Sequence, residues 1–400
     1  MIDYIVGAND MKYRNANNVL PEELIEQIQE YVQGDYIYIP IKDKCCEYAT
    51  DYKMELEKRD AHIYTKYLEG MSNRQLSKLY HLSESSIRRI IIKQRKGNIS
   101  MNDKITKILF HWGLENWEVK QLYKTTWQIG EQYVLKVYQN LEMLERNLKI
   151  LRILDDMKIP VGKIVSTHDN KQYIWSDDVF CFLSKKLSGS NIIGIGDNMN
   201  IALTMGEIIA DLHIAFKKCE DEDVFWNNSL LDEMNGWVKE NFENSDWKYV
   251  SKGEYEKVVT QLSMVYDKLP VQLIHRDIHF GNFLFEKGEF SGYIDFDLSQ
   301  KNIRIFDICY FLLGLLCEEE KFDIRKELWF EFLKNVFIGY ENKLKLSETE
   351  KKAVPYVMEC IELLFISYFE GINDVCCAED AYKIYEFVKK QENSIWRSIQ

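Results

Sequence analysis

The sequence predicts an α+β protein in which a small, mainly helical domain precedes a small sheet-bearing lobe and a larger helical lobe. Three observations support this prediction. The chain has 400 residues, 46% hydrophobic and 13% aromatic, which is enough for more than one core. Residues 71–97 are basic and have the spacing of a helix-turn-helix. Residues 272–297 alternate apolar strand-like runs with polar loops.

The elements expected first along the chain lie before residue 98. In order, the sequence predicts a helix over residues 21–32, a strand over 35–40, and helices over 54–69, 73–80 and 84–96. Ser72 begins a capping box with Gln75, and Ser83 can cap the helix that follows. The expected core is apolar: Leu76, Leu79, Leu82, Ile87 and Ile90.

The net charge of −13 is unevenly distributed. Residues 71–97 contain seven basic residues and one acidic residue, whereas residues 101–400 contain 36 basic and 49 acidic residues. The first part would attract nucleic acid and the second would repel it. Two functions on one chain are therefore expected, with a domain boundary near residues 96–100.

Residues 102–400 are predicted to form the sheet-bearing lobe and the helical lobe. Strand-like runs at 121–128 and 133–138 are joined by a turn containing Gly130, which predicts a hairpin. A helix over 141–157 and a strand over 179–183 follow, and the chain after about residue 200 is mainly helical apart from 272–297. The predicted division is residues 1–98, 102–187 and 188–400.

The residues with the clearest chemistry lie in two polar loops. Asp277 and Asn282 follow the apolar run that ends at Ile274, and Asp295 follows Tyr293-Ile294. Phosphoryl transfer needs a carboxylate to orient the acceptor hydroxyl, together with hard oxygen ligands for Mg²⁺. Asp277 suits the first task, and Asn282 and Asp295 suit the second.

The run His275-Arg276-Asp277-Ile278-His279-Phe280-Gly281-Asn282 with Ile294-Asp295-Phe296-Asp297 resembles the aminoglycoside phosphotransferase and choline kinase branch of the protein-kinase-like fold. The resemblance covers about residues 102–390. It implies a two-lobed kinase that uses ATP and Mg²⁺ to phosphorylate a small-molecule hydroxyl, with ATP and GTP both open as donors. It also implies supporting roles for His275 and Arg276, and a brace for the catalytic loop at Asp307.

Two further supporting residues have alternative roles. His279 is either a group that touches phosphate or a buried, hydrogen-bonded loop histidine. Asp297 is either a second metal contact or a helix cap.

The same resemblance implies a nucleotide site in the small lobe. Lys136 occupies the position that grips the α- and β-phosphates. The other residues expected there are Gly130, Leu183 and Lys185. Asn147 stands where a glutamate that pairs with the lysine is expected, so either Glu145 or Glu142 replaces it or the pair is lost.

Acidic residues of the helical lobe suggest a cationic acceptor, such as an aminoglycoside, choline or homoserine. They are Asp221, Glu222, Asp223, Glu233, Glu240 and Glu243. The alternative is an ordinary solvated face.

Residues 10–97 resemble the Mor transcription activator family, especially around residues 18–24 and 31–40. The resemblance implies a dimerisation region, here residues 18–40, followed by a helix-turn-helix that binds double-stranded DNA. The recognition helix would present Ser85, Ser86, Arg88, Arg89 and Lys93. Alternatively, the module packs against protein and its basic residues are solvated.

The sequence has neither a signal-like start nor an apolar run near the roughly 20 residues that span a bilayer. A cytoplasmic protein without membrane contact is expected. Two functions compete: an active small-molecule kinase fused to a DNA-binding module, and a transcription regulator whose kinase-like domain only senses a nucleotide or ligand.

Overall fold

The computed structural model describes residues 59–400 except 61, 69, 81, 177, 193, 196–198, 223–224 and 318–325. It divides into two compact units between Lys107 and Ile108. The helix expected at 21–32, the strand at 35–40 and the dimerisation region at 18–40 all lie outside the described residues. Among those described, no helix combines the length and apolar character needed to cross a membrane.

The first unit contains the helix-turn-helix. Residues 62–68 are helical, followed by α1 (Asn73–Leu79) and α2 (Glu84–Leu109). The capping box is confirmed, because Ser72 accepts from the Gln75 amide and the Gln75 side chain accepts from the Ser72 amide. The core contains Ile63, Leu76, Ile87, Ile90 and Ile91, with Leu82 packed against it.

Two predictions about this unit need correction. Leu79 is half-buried and does not belong to the core cluster. The helix α2 continues to Leu109, so the boundary expected near residues 96–100 lies within a helix. Gly97 did not end it, because one glycine costs a helix only about 1 kcal/mol and no proline follows.

The small lobe of the second unit is built around an antiparallel sheet. Its strands and helix are β1 (Val119–Tyr123), β2 (Thr126–Ile129), β3 (Tyr133–Tyr138), α3 (Leu141–Asp156), β4 (Ile164–Val165), β5 (Ile174–Ser176) and β6 (Val179–Lys185). The strand order is β1-β2-β3-β6-β4, and β5 also pairs with β6. The predicted strand at 133–138 is confirmed, but the run at 121–128 is split by a turn into β1 and β2.

The large lobe is mainly helical. Its elements are α4 (Asn200–Glu222), α5 (Leu230–Glu233), α6 (Lys239–Asn244), α7 (Lys252–Tyr266), β7 (Val271–Ile274), β8 (Phe283–Glu286), β9 (Glu289–Tyr293), β10 (Gln300–Ile303), α8 (Ile305–Cys317), α9 (Lys326–Lys343), α10 (Glu348–Gly371) and α11 (Val375–Ser398). The strands form two antiparallel pairs, β7 with β10 and β8 with β9. The loops that follow β7 and β9 carry the catalytic and metal-binding candidates. One hydrophobic core continues from α3 through the helices of the large lobe and fixes both loops.

Candidate active site

Two cavities meet at the loop that follows β7. A cleft of 690 Å³ lies between the small and large lobes, and a second cavity of 440 Å³ lies within the large lobe. Asp277 and His279 line both cavities. A group bound in the cleft and a group bound in the second cavity would therefore meet at the Asp277 carboxylate.

Asp307 fixes the backbone of the catalytic loop. Its fully buried carboxylate accepts hydrogen bonds from the amides of His275 and Arg276, each at 2.8 Å. It also contacts the Nε2 atom of His213 at 3.0 Å. Arg276 has φ +69°, a conformation that costs free energy in a residue with a side chain. These contacts are the ones expected of the brace suggested by the sequence.

The Arg276 side chain points away from Asp277 and pairs with a buried carboxylate. Its Nη2 atom lies 2.7 and 2.8 Å from the two oxygens of Glu233. Glu233 therefore holds the catalytic loop and is neither a solvated residue nor a substrate contact, which corrects the prediction for it. Glu240 and Glu243 are exposed and line neither cavity. The side chains of residues 221–223 lie outside the part of the chain that the structure describes.

The Asp277 carboxylate is held by neutral donors. The Tyr310 hydroxyl donates to Oδ1 at 2.9 Å, and the Asn282 amide donates to Oδ2 at 3.1 Å. Burial raises the pKa of Asp277, but the nearby His279 ring and the hydrogen bond from the Tyr310 hydroxyl outweigh it and lower the pKa to about 2. Asp277 is therefore ionised at neutral pH and can accept a hydrogen bond from an acceptor hydroxyl.

His275 and His279 support the same loop in different ways. His275 is fully buried, and burial lowers its pKa, so its ring is neutral. The Nδ1 atom of His279 accepts from the Gly281 amide at 3.0 Å, and its Nε2 lies 3.6 Å from Asp277 Oδ2. With 44% of its side chain exposed, His279 is not the buried loop histidine that the sequence left open.

Asn282 and Asp295 have suitable chemistry for a magnesium ion. The Asn282 amide nitrogen donates to the backbone and side chain of Asp277, which leaves its Oδ1 oxygen for a cation. Asp295 is 48% exposed and has φ +63°. The described residues contain no group of three or more His, Cys, Asp and Glu able to hold a metal. Mg²⁺ is commonly held by one or two protein oxygen ligands together with nucleotide phosphates, and Asn282 and Asp295 are suited to that arrangement.

Lys136 pairs with neither of the glutamates suggested by the sequence. Its Nζ atom lies 2.7 Å from Asp295 Oδ1 and 2.6 Å from Asp297 Oδ2. Glu145 is exposed and accepts from the Tyr173 hydroxyl at 3.4 Å, and Glu142 is exposed. Of the two alternatives left open by the sequence, loss of the glutamate partner is the one that fits, because the side chains of Glu142 and Glu145 lie on the outer face of α3.

The inner faces of β3 and β6 line the cleft. Val134 pairs with Ser184 and Lys136 with Phe182, and all four side chains line the cleft. Because side chains alternate along a strand, Leu183 faces the other way and is fully buried. Contrary to the prediction, the Leu183 side chain does not face the nucleotide cleft. Lys185 does line the cleft.

Gly130 also lies away from the cleft, contrary to the prediction. It has φ +51° in the turn between β2 and β3, and a Cβ atom there would collide with the Trp117 ring. The turn that contributes to the cleft is the preceding one, between β1 and β2, with Tyr123 and Thr126 in the lining. The positive φ of this turn and the Trp117 ring packed against it account for a glycine at position 130.

The second cavity contains a buried carboxylate among aromatic rings. Glu362 in α10 is 2% exposed, and its Oε2 atom has no hydrogen-bond partner among the described residues. Burial raises its pKa to about 8. The aromatic residues that line the cavity are Phe280, Tyr310, Phe311, Phe365 and Phe369. An unpaired carboxylate beside aromatic faces is suited to binding a cation.

The sequence analysis missed the residues that complete the site. Tyr310, Tyr138 and Asn191 give no local signal, because their partners are far away in sequence. Asn191 donates to the carbonyl oxygens of Phe280, Gly281 and Phe283 and so fixes the loop. Glu362 does have a signal, since it is a charged residue within the apolar run 357–366.

The exposed face of α2 carries the candidate DNA contacts. Arg88 and Arg89 are exposed, and Arg88 lies 3.8 Å from Glu84. Ser86 contributes to the helix cap, because its amide donates to Ser83 Oγ at 3.1 Å and the two hydroxyl oxygens lie 2.9 Å apart. The side chains of Ser85 and Lys93 lie outside the described residues.

Comparison with known proteins agrees with both parts of the chain. Residues 114–350 match the phosphotransferase enzyme family, and residues 8–104 match the Mor transcription activator family. The uncharacterized protein YraL of Bacillus subtilis (strain 168) is 37% identical over 84 residues, which are 20% of this chain and 97% of that protein. The homoserine kinase of Gluconobacter oxydans (strain 621H) is 28% identical over 184 residues, 44% of this chain and 55% of that kinase.

Among solved structures, the fold is similar to that of the amicoumacin kinase hAmiN, solved in complex with AMP-PNP, Ca²⁺ and Ami. The TM-score is 0.56 at 19% sequence identity, covering 76% of this chain and 96% of that one. The phosphotransferase match covers more than half of the chain, and it coincides with the two-lobed fold described above. The chain belongs to the phosphotransferase enzyme family and is a small-molecule kinase.

Proposed function

We propose that this kinase transfers the γ-phosphate of ATP to a hydroxyl group of a small molecule that carries an ammonium group. The observation that supports this most strongly is the position of Asp277, which lines both the interlobe cleft and the cavity that contains Glu362. ATP in the cleft and an amino alcohol in the cavity would meet at that carboxylate.

The residues of the cleft have complementary roles in this reaction. Lys136 would bind the α- and β-phosphates, and Asn282 and Asp295 would hold Mg²⁺, which would neutralise phosphate charge. Asp277 orients the acceptor hydroxyl. The hydroxyl oxygen forms a bond to the γ-phosphorus, the bond from that phosphorus to the bridging oxygen breaks, and ADP leaves. The hydroxyl proton passes to Asp277 and then to solvent.

The acceptor cavity favours a compact cation over a neutral alcohol. The buried Glu362 carboxylate can pair with an ammonium group, and the surrounding rings can contact the same cation through their faces. A volume of 440 Å³ lies within the usual range of small-molecule sites. The similarity to a homoserine kinase supports the same chemistry, since homoserine has both an amino group and a hydroxyl group.

Changing Glu362 to glutamine should remove the preference for an amine. With the wild type, amino alcohols should have kcat/KM values about 10- to 100-fold higher than their neutral isosteres, the range expected for a charge-assisted hydrogen bond. Their KM should fall as pH rises towards 8, because ammonium binding needs ionised Glu362. In Glu362→Gln, both the preference and this pH dependence should disappear. Steady-state kinetics on matched amine and neutral pairs would measure this.

An exposed carboxylate in the same cavity provides the control. Asp380 pairs with Lys383 at 2.7 Å, and 59% of its side chain is exposed, so Asp380→Asn should change the amine preference little. If Glu362→Gln kept the wild-type preference for amines, the ammonium assignment would be wrong, although phosphoryl transfer could still occur.

The match to the Mor family and the exposed Arg88 and Arg89 support a second function, binding of double-stranded DNA by α2. In an electrophoretic shift at low salt, the full-length chain should bind a DNA duplex. Arg88→Ala with Arg89→Ala should weaken binding about 10-fold or more, and wild-type binding should weaken steeply with added salt.

Lys217 offers a matched control for this test, because it is exposed and lies on the kinase unit. Lys217→Ala should leave the shift unchanged. Equal DNA binding by the wild type and the double arginine variant would exclude α2 as the recognition helix.

A further inference from the structure

The structure assigns the role of permanent partner for Lys136 to Asp297, a residue of the loop that follows β9. The inference deepens the proposed function, because it concerns how the nucleotide-binding lysine is held. It gives Asp297 a role that differs from both alternatives left open by the sequence, a metal contact and a helix cap.

The helix that faces Lys136 supplies no carboxylate for it. The residues of α3 that line the cleft are Asn147, which is 3% exposed, and the apolar Leu151. A neutral amide cannot balance a lysine charge. The Asn147 side chain instead donates to Asp297 Oδ1 at 2.6 Å. The helix therefore acts on Lys136 through Asp297.

The two oxygens of Asp297 have separate tasks. Oδ1 accepts from both Asn147 and the Tyr138 hydroxyl, each at 2.6 Å. Oδ2 is 2.6 Å from the Lys136 Nζ atom. Burial, followed by the charge of Asp297, raises the pKa of Tyr138 well above its usual range, so this hydroxyl remains a donor. Two neutral donors thus orient the carboxylate so that its other oxygen faces the lysine.

Asp295 differs from Asp297 in ways that fit a transient contact with Lys136. It has a single contact with the lysine, at 2.7 Å, and about half of its side chain is exposed. Only 25% of the Asp297 side chain is exposed, and it has three partners. Metal and nucleotide can draw Asp295 away from Lys136, whereas Asp297 stays and positions the lysine.

This assignment predicts that the carboxylate at position 297 and the amide at position 147 can exchange places, because the two side chains are in contact. Asp297→Asn should weaken binding of MgATP about 10- to 100-fold, the range for a lost charged hydrogen bond. In Asp297→Asn with Asn147→Asp, the amide and carboxylate exchange places, and MgATP affinity should recover by at least about 5-fold over the single variant. Tyr138→Phe should weaken binding only about 2- to 5-fold, because the ion pair remains. Isothermal titration calorimetry of the full chain would measure each affinity.

The control is Asp155→Asn, which removes a surface pair with Lys163 near the end of the same helix and should leave MgATP affinity unchanged. Thermal unfolding would verify that each variant is folded. The assignment would be overturned if Asp297→Asn bound MgATP with wild-type affinity. If Asp297→Asn does not fold, Tyr138→Phe is the test instead, and an unchanged MgATP affinity in that variant would overturn the assignment. A higher Mg²⁺ requirement at saturating ATP in Asp297→Asn would instead make Asp297 a metal ligand. No MgATP binding by the wild type would overturn the proposed function as well.

Discussion

Replacing Asp277 by asparagine should lower kcat by about 10²- to 10⁴-fold, the usual contribution of a positioned general base. Asparagine keeps the size of the side chain and can still accept from Tyr310, but it can neither take the proton nor orient the hydroxyl by charge. MgATP binding should change little, since Lys136, Asn282 and Asp295 remain. Steady-state kinetics and nucleotide titration on the same preparation would separate the two effects.

The matched control for this change is Asp169→Asn, at an exposed loop position of the small lobe. It should retain wild-type kcat. A kcat for Asp277→Asn within about 10-fold of the wild type would contradict the assigned role of Asp277.

Replacing Asp307 by alanine should destabilise the kinase unit by about 2–5 kcal/mol, because each buried donor left without an acceptor costs about 1–3 kcal/mol. The change leaves the buried amides of His275 and Arg276 without an acceptor, and it removes a contact of the buried His213. Arg276 would also lose support for its positive φ. Activity should fall as well, because Asp277 follows these two residues directly. Denaturant unfolding monitored by tryptophan fluorescence would measure the loss.

A surface aspartate gives the comparison. Asp211 pairs with Lys343 at 3.3 Å, and both side chains are 43% exposed. Asp211→Ala should cost less than about 1 kcal/mol. If Asp307→Ala cost no more than this control, Asp307 would not be the brace of the catalytic loop.

Local patterns predicted many of the elements and located the candidate site in two polar loops. The capping box at Ser72, the strand at 133–138 and the polar loops after β7 and β9 depend on residues close together in sequence. The spacing of Asp277, Asn282 and Asp295 was informative for the same reason. The turn chemistry and strand alternation that create these loops are encoded within a few residues.

Contacts between distant segments could not be predicted. Asp297 and Lys136 pair although they lie 161 positions apart in the printed chain, and nothing near either residue indicates this. Leu183 was predicted to contact the nucleotide because it lies on a strand that was correctly predicted. A shift of one residue along a strand decides which side chain faces the cleft, and the sequence pattern did not fix that position. Gly130 was correctly placed in the turn before β3 but wrongly assigned to the nucleotide, because the turn that does line the cleft lies within the run 121–128 and contains no glycine.

Product formation tests directly whether the chain phosphorylates amino alcohols. The full chain would be incubated with MgATP and a panel of amino alcohols, and products would be identified by phosphorus NMR and mass spectrometry. We expect one or more amino alcohols to become a phosphomonoester, with one ADP released for each product formed. Measurable ATP binding without a phosphorylated product from a broad panel of amino alcohols, aminoglycosides and neutral alcohols would contradict catalysis and favour a ligand-sensing regulator.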